Sequence, residues 1–167
     1  HLKTLDTFGE WYYDGTRLYI YFGSQVPSSN AVKVSTVDNI FYSNTYDHLF
    51  CENLSFIGSI SSVVYLSGSH YSSIKNCSIS FSGENGIHII GNISPIIDNN
   101  VINRSTKAGI YCQGGKSATI TNNNISNSGL IPGGAFTATQ NDGIYITYND
   151  DCLVQYNNIS SSGYNGI

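Results

Sequence analysis

The sequence predicts an all-β chain: a right-handed parallel β-helix, a solenoid of about five coils of about 23 residues, behind an N-terminal β-hairpin and cap. Three observations predict it. Gly-Ile dipeptides recur at Gly86-Ile87, Gly109-Ile110, Gly143-Ile144 and Gly166-Ile167, two equal steps with one longer step between them. Period-two apolar runs begin at them, as in Ile87-His-Ile89, Ile110-Tyr-Cys112 and Ile144-Tyr-Ile146. Asparagine-rich corners separate these runs, at Asn99-Asn100, Asn122-Asn123-Asn124 and Asn157-Asn158.

Residues 1–44 lie outside the repeat. In them Glu10-Trp-Tyr-Tyr13 and Leu18-Tyr-Ile-Tyr21 flank Asp14-Gly15, a hairpin signal because both turn residues accept positive φ. Aromatic side chains suit the covering of a solenoid end, so the segment reads as a cap, with direct ligand contact as the other reading.

Residues 45–167 carry the coils. Three columns share the period: Val64, Ile87, Ile110 and Ile144; Leu54, Ile79, Ile102, Ile125 and Ile159; Leu49, Ile74, Ile97, Ile120 and Val154. Alternation with period two marks a strand with one buried face. About 20 residues separate equivalent strands, too many for hairpins, so they must stack in parallel about 4.8 Å apart. Asparagine tolerates left-handed corners, and Asn100, Asn123 and Asn157 share one column, where stacked amides would form a ladder. Ser82-Gly83, Ser128-Gly129 and Ser162-Gly163 make the other corner. The longer steps, Ile110 to Ile144 and Ile125 to Ile159, place an insertion at 130–140, which fits a substrate wall or a subunit contact equally. The sequence reaches Ile167 in mid-strand, so the β-helix is expected to run on, and an uncovered last coil is expected to self-associate through its unpaired backbone.

Composition narrows the partners. Charged residues are 11%, the net charge is −4 and Lys plus Arg total 7, so no basic stripe exists to neutralise a nucleic acid. No apolar run approaches the ~18–20 residues of a membrane span. Asparagine (19), serine (24), glycine (17) and tyrosine (13) dominate, and only the fixed spacing of Ile, Val and Leu argues against disorder. Cys51, Cys77, Cys112 and Cys152 fit no metal or redox spacing and read as small buried hydrophobes, with Cys51–Cys77 as a disulfide candidate. No three residues show metal-ligand spacing, and no cofactor is implied. Six Asn-x-Ser sequons, at Asn53, Asn76, Asn92, Asn103, Asn124 and Asn158, largely coincide with the corners.

The pattern Ile-x-Asn-Asn-x-Ile-x-x-Ser-Gly-x-x-Gly-Ile resembles the repeat of the pectin-lyase-like β-helix superfamily, from about residue 45 to 167. The segment Gly9–Tyr21 is similar to one ahead of the repeats in bacterial β-helix proteins resembling glycoside hydrolases. That superfamily includes polysaccharide lyases, glycosidases and non-catalytic surface proteins. The resemblance therefore implies the fold and an extracytoplasmic place (secreted, periplasmic or cell-surface) without fixing an activity.

The residue after each anchor points outward, giving Tyr65, His88, Tyr111 and Tyr145. Ser62, Asn85, Ala108, Asp142 and Asn165, two before the anchors, are expected outward as well, with Glu84, Lys107, Asn141 and Tyr164 just ahead. Aromatic rings stack on sugars and polar groups bond hydroxyls, so the expected partner is a polysaccharide or oligosaccharide. Tyr65, His88, Tyr111, Tyr145, Asn85 and Lys107 would bind it. Outward tyrosines also stabilise parallel sheets by cross-coil pairing, so a purely structural role stays open.

Cleavage would need two carboxylates about 5–5.5 Å or ~6.5–9.5 Å apart. Asp142 is the first candidate and Glu84 the second, two coils or about 10 Å away. Asn141-Asp142-Gly143 resembles part of a polygalacturonase motif, although Tyr164-Asn165 stand where its paired acids would fall. Asp150-Asp151-Cys152 resembles another such motif but falls after the strand. A lyase would draw its base and its carboxylate-neutralising group from Lys107, Arg104, His88 and Tyr111. Two function classes remain: a carbohydrate-active β-helix that binds or cleaves a polysaccharide, and a non-catalytic cell-surface, adhesive or filament-forming module.

Overall fold

The computed structural model describes residues 5–131 and 141–167. The chain divides into two compact units, His1–Val34 and Ser35–Ile167. In the first, Trp11–Tyr13 pairs antiparallel with Leu18–Ile20. The Asp14 carboxylate ties the turn by accepting the N–H groups of Thr16 and Arg17 at 2.8 and 2.7 Å.

The second unit is a parallel β-helix. Every coil contributes one strand to each of three five-stranded parallel sheets. The first sheet stacks Phe41–Asn44, Val64–Ser67, Ile87–Ile90, Ile110–Gln113 and Ile144–Thr147. The second stacks Phe50–Glu52, Ser73–Lys75, Ile96–Asp98, Thr119–Thr121 and Leu153–Gln155. The third stacks Ser55–Ser59, Ser78–Ser82, Val101–Ser105, Asn124–Ser128 and Asn158–Ser162. Ile87, Ile110 and Ile144 are buried in one line, and Ile79, Ile102 and Ile125 in another that the half-buried Ile159 extends. The pairing of Ile110 with Ile144 and of Asn124 with Asn158 confirms the longer step. The insertion expected at 130–140 lies, apart from Leu130 and Ile131, outside the described residues.

The first coil differs from expectation in two ways. It begins at Phe41, inside the segment read as N-terminal, because Ile40-Phe41 replaces the Gly-Ile marker there. Its columns are headed by Cys51 and Phe56, which pair with Ile74 and Ile79, and not by Leu49 and Leu54. Leu49 and Cys51 have the same parity along the strand, as do Leu54 and Phe56, so alternation alone cannot separate them. Leu54 is exposed and Leu49 half-buried.

The paired asparagines divide their labour. In Asn99-Asn100 and Asn122-Asn123 the first asparagine turns the chain, with φ of 54° and 57°, the left-handed region asparagine tolerates. At the third corner Tyr156 turns, with φ of 59°, and Asn157 is already the ladder residue. Asn100 and Asn123 are buried and, with the half-buried Asn157, hold the coils together. Asn123 Nδ2 donates to Ile97 O and to Asn157 Oδ1, both at 2.9 Å. Asn123 Oδ1 accepts from Asn100 N at 3.0 Å and from Asn100 Nδ2 at 2.9 Å. Both donors and both lone-pair sites of the amide are thus used inside the core. Cys77 occupies the same column one coil earlier, where its N–H meets Asn100 Oδ1 at 2.9 Å.

The glycine of Gly-Ile serves close approach. A Cβ on Gly86 would stand 2.5 Å from Ile102 Cγ2 and 2.6 Å from the Gly109 carbonyl oxygen of the next coil. Cys51, Cys77 and Cys112 are buried free thiols, and burial pushes Cys51 and Cys112 up to about 12. The Cys51 and Cys77 sulfurs lie 3.9 Å apart without a bond between them, so the disulfide candidate is a thiol contact here.

Asn123→Ala should lower the unfolding free energy by about 3 kcal/mol, since it strands several buried polar groups. The exposed Asn124→Ala should cost less than ~0.5 kcal/mol. Equal midpoints for the two variants in urea denaturation would refute an internal ladder. Gly86→Ala should cost at least ~2 kcal/mol by overpacking.

Candidate functional site

The outer face of the first sheet carries one ring per coil. Tyr42, Tyr65, His88, Tyr111 and Tyr145 are successive register partners. Four of them were legible in the sequence. Tyr42 was not, although it precedes Tyr65 by one full period, because Phe41 and not an aliphatic residue stands at the anchor position before it. The rings lie against one another. Tyr42 and Tyr65 stack at 5.6 Å and 6°, His88 and Tyr111 at 4.6 Å and 16°, and Tyr111 and Tyr145 at 5.0 Å and 22°. Tyr65 and His88 break the series edge to face at 5.2 Å and 88°. Because the planes repeat along the column, most ring faces are covered by neighbours and the phenol edges are left for other partners.

A polar column runs beside the rings: Asp38, Ser61, Glu84, Lys107 and Asn141, one residue from each successive coil. Lys107 Nζ donates to Glu84 Oε1 at 2.6 Å, and Ser61 Oγ donates to Glu84 Oε2 at 2.8 Å. Partial burial raises the Glu84 carboxyl, but the hydrogen bonds from Lys107 and Ser61 outweigh it and hold the group below its ordinary value. Tyr111 Oη donates to Gln113 Oε1 at 3.0 Å.

Asp142 and Asn85 do not belong to this face. Both were expected outward, yet Asp142 is 3% and Asn85 4% exposed, and Ser62 and Ala108 of the same column are buried with them. Parity explains the correction, since a residue two positions from a buried isoleucine shares its side of the strand. Inside, they cap the next coil: Asn85 Oδ1 accepts Ala108 N–H at 3.2 Å and Asp142 Oδ1 accepts Asn165 N–H at 2.9 Å. Burial raises the Asp142 carboxyl above its ordinary value, opposed by the N–H of Asn165. The two acids expected to act together, Asp142 and Glu84, therefore stand on opposite sides of the sheet. Of the groups named for a lyase, Lys107, His88 and Tyr111 share the face. Arg104 belongs to the third sheet, its guanidinium 5.0 Å from the Phe81 ring centre. Among the described residues no cluster of three or more His, Cys, Asp or Glu is placed to hold a metal ion, and no helix is long and apolar enough to cross a membrane.

A family model described as a right-handed β-helix region matches residues 62–167, from the second coil onward and well over half of the chain. The chain belongs to the right-handed β-helix family. No curated protein and no solved structure matches it. Membership agrees with the stacked parallel sheets and gives the coil its hand, while the chemistry of the outer face has to be read from its own side chains.

On this β-helix the central ring is electrostatically unusual. Burial lowers His88 to about 4; the neighbouring Glu84 carboxylate favours the charged form and Lys107 opposes it. His88 Nε2 is buried and has no hydrogen-bond partner among the described residues. The folded state thus holds the imidazole neutral where the unfolded chain, near 6.5, would already be protonated. His88 accordingly contributes stability that is present above about pH 6.5 and lost as pH falls through about 4. Between those limits wild type should lose on the order of 2 kcal/mol that His88→Phe, which keeps a stacking ring, retains. Unfolding curves for the two proteins that stay parallel from pH 7 to pH 4 would refute this.

Proposed function

We propose that this β-helix binds an extended polysaccharide along the outer face of its first sheet, and that the residues described here hold the chain without cleaving it. The observation that carries the reading is the unbroken column Tyr42, Tyr65, His88, Tyr111 and Tyr145, flanked by the polar pair Glu84 and Lys107. Phenols both donate and accept hydrogen bonds, as sugar hydroxyls do, and the rings supply apolar surface between them. Binding is preferred to hydrolysis because Asp142 faces the core and Glu84 is tied to Lys107, so among the described residues no pair of carboxylates converges on the face. The same reading places the protein where polysaccharide is met: secreted, periplasmic or on a cell surface.

Ring-on-ring stacking favours a second reading, a non-catalytic surface, adhesive or filament-forming module in which the column only stiffens the sheet. The two readings separate by mutation. If the face binds glycans, Tyr111→Ala and Tyr145→Ala should each weaken oligosaccharide binding about tenfold, roughly 1.4 kcal/mol, in calorimetric titration. Neither side chain is buried in the core, so the fold should survive with a loss of about 0.5–1.5 kcal/mol from the broken stack. Asp142→Asn keeps an acceptor oxygen at the same place and should leave binding unaltered. Lower melting temperatures for the tyrosine variants, with no glycan bound by any of the proteins, would select the structural module.

A further inference from the structure

We propose that the ligand of this face is an uncharged polysaccharide lying parallel to the helix axis, about one sugar per coil, an inference that rests on the glycan-binding reading above. Charge decides the class. A polyuronate presents one carboxylate per sugar and is held by arginine or lysine groups free to pair with it. Among the described residues of this face Lys107 is the one such cation. Its side chain is 17% exposed, and its ammonium is already bonded to Glu84 at 2.6 Å. Diverting it to a ligand would leave the Glu84 carboxylate half-buried with only the Ser61 hydroxyl, a costly exchange.

The rest of the column sharpens the bias. Asp38, two coils before Glu84, is exposed and adds a second negative charge, so one cation faces two carboxylates. His88, at the centre of the rings, is neutral at any pH well above about 4. The next lysine, Lys116, lies past the Gly114-Gly115 corner, 3.8 Å from Asp151 and paired in register with Asp150. A uronate chain on the tyrosines would therefore meet net negative charge.

Geometry sets the direction and length. Successive ring centres are separated by 5.6, 5.2, 4.6 and 5.0 Å. That step follows the coil rise of about 4.8 Å, close to the advance of one pyranose unit in an extended chain. The rings turn their edges outward, so recognition falls to the hydroxyls of Tyr42, Tyr65, Tyr111 and Tyr145, which match neutral sugar hydroxyls and offer nothing to a carboxylate beyond a neutral donor.

The test is calorimetric titration of the full chain with gluco-, xylo- and manno-oligosaccharides of increasing length and with oligogalacturonates and oligomannuronates. Neutral chains should bind, tightening with length until all five rings are spanned and then levelling off. Uronate chains of equal length should bind at least about tenfold more weakly. Glu84→Gln, which releases Lys107, should narrow that gap. Uronates binding as tightly as neutral chains in the wild type would overturn the ligand class and leave the glycan face standing. A failure of every oligosaccharide to bind would remove the glycan face, and this inference with it.

Discussion

In a solenoid whose strands pair only with the coil before and the coil after, every strand side chain sits about 4.8 Å from its own counterpart. This constraint governs what each column holds. Apolar columns become continuous core, as along Ile87, Ile110 and Ile144. A buried polar column is stabilised where its members satisfy one another, which Asn100, Asn123 and Asn157 do through their amides. Charged columns are tolerated where the sign alternates: Glu52, Lys75 and Asp98 are consecutive register partners, and Glu84 stands over Lys107. The 11% charged content follows from the same stacking rule, because like charges repeated at this spacing repel.

Much of the fold was legible because the rule writes itself into the sequence. The regular recurrence of isoleucine, the Asn-Asn corners and the Gly-Ile marker each state one consequence of stacking. Legibility failed where a residue type ceased to discriminate. Leu49 and Leu54 were placed in columns that belong to Cys51 and Phe56, since both alternatives are apolar and of equal parity. Phe41–Asn44 lay hidden because an aromatic residue, Phe41, holds the place that an aliphatic anchor holds in the later coils. Left-handed corners at Phe81 and Arg104, with φ of 60° and 58°, carry no local signal, and only their place in the period locates them.

The outer face was legible in its rings and misread in its acids. Tyr65, His88, Tyr111 and Tyr145 follow from alternation, but the same alternation, applied consistently, puts Asn85 and Asp142 inside. A carboxylate beside a family-like motif invites a chemical reading, whereas its position two residues from a buried isoleucine makes it a cap for the coil above. Orientation of the rings was not accessible from sequence at all. Spacing says that aromatics meet, and only the structure says that they meet face to face and leave their edges outward.

The step from Ile110 to Ile144 is longer than the steps on either side of it, yet the strands it joins keep full register. A corner that tolerates this behaves as a socket. Segments of other lengths can join Gly129 to Asn141 while no strand has to be retuned. A designer can therefore lengthen the chain at that corner and leave every stacked column in place.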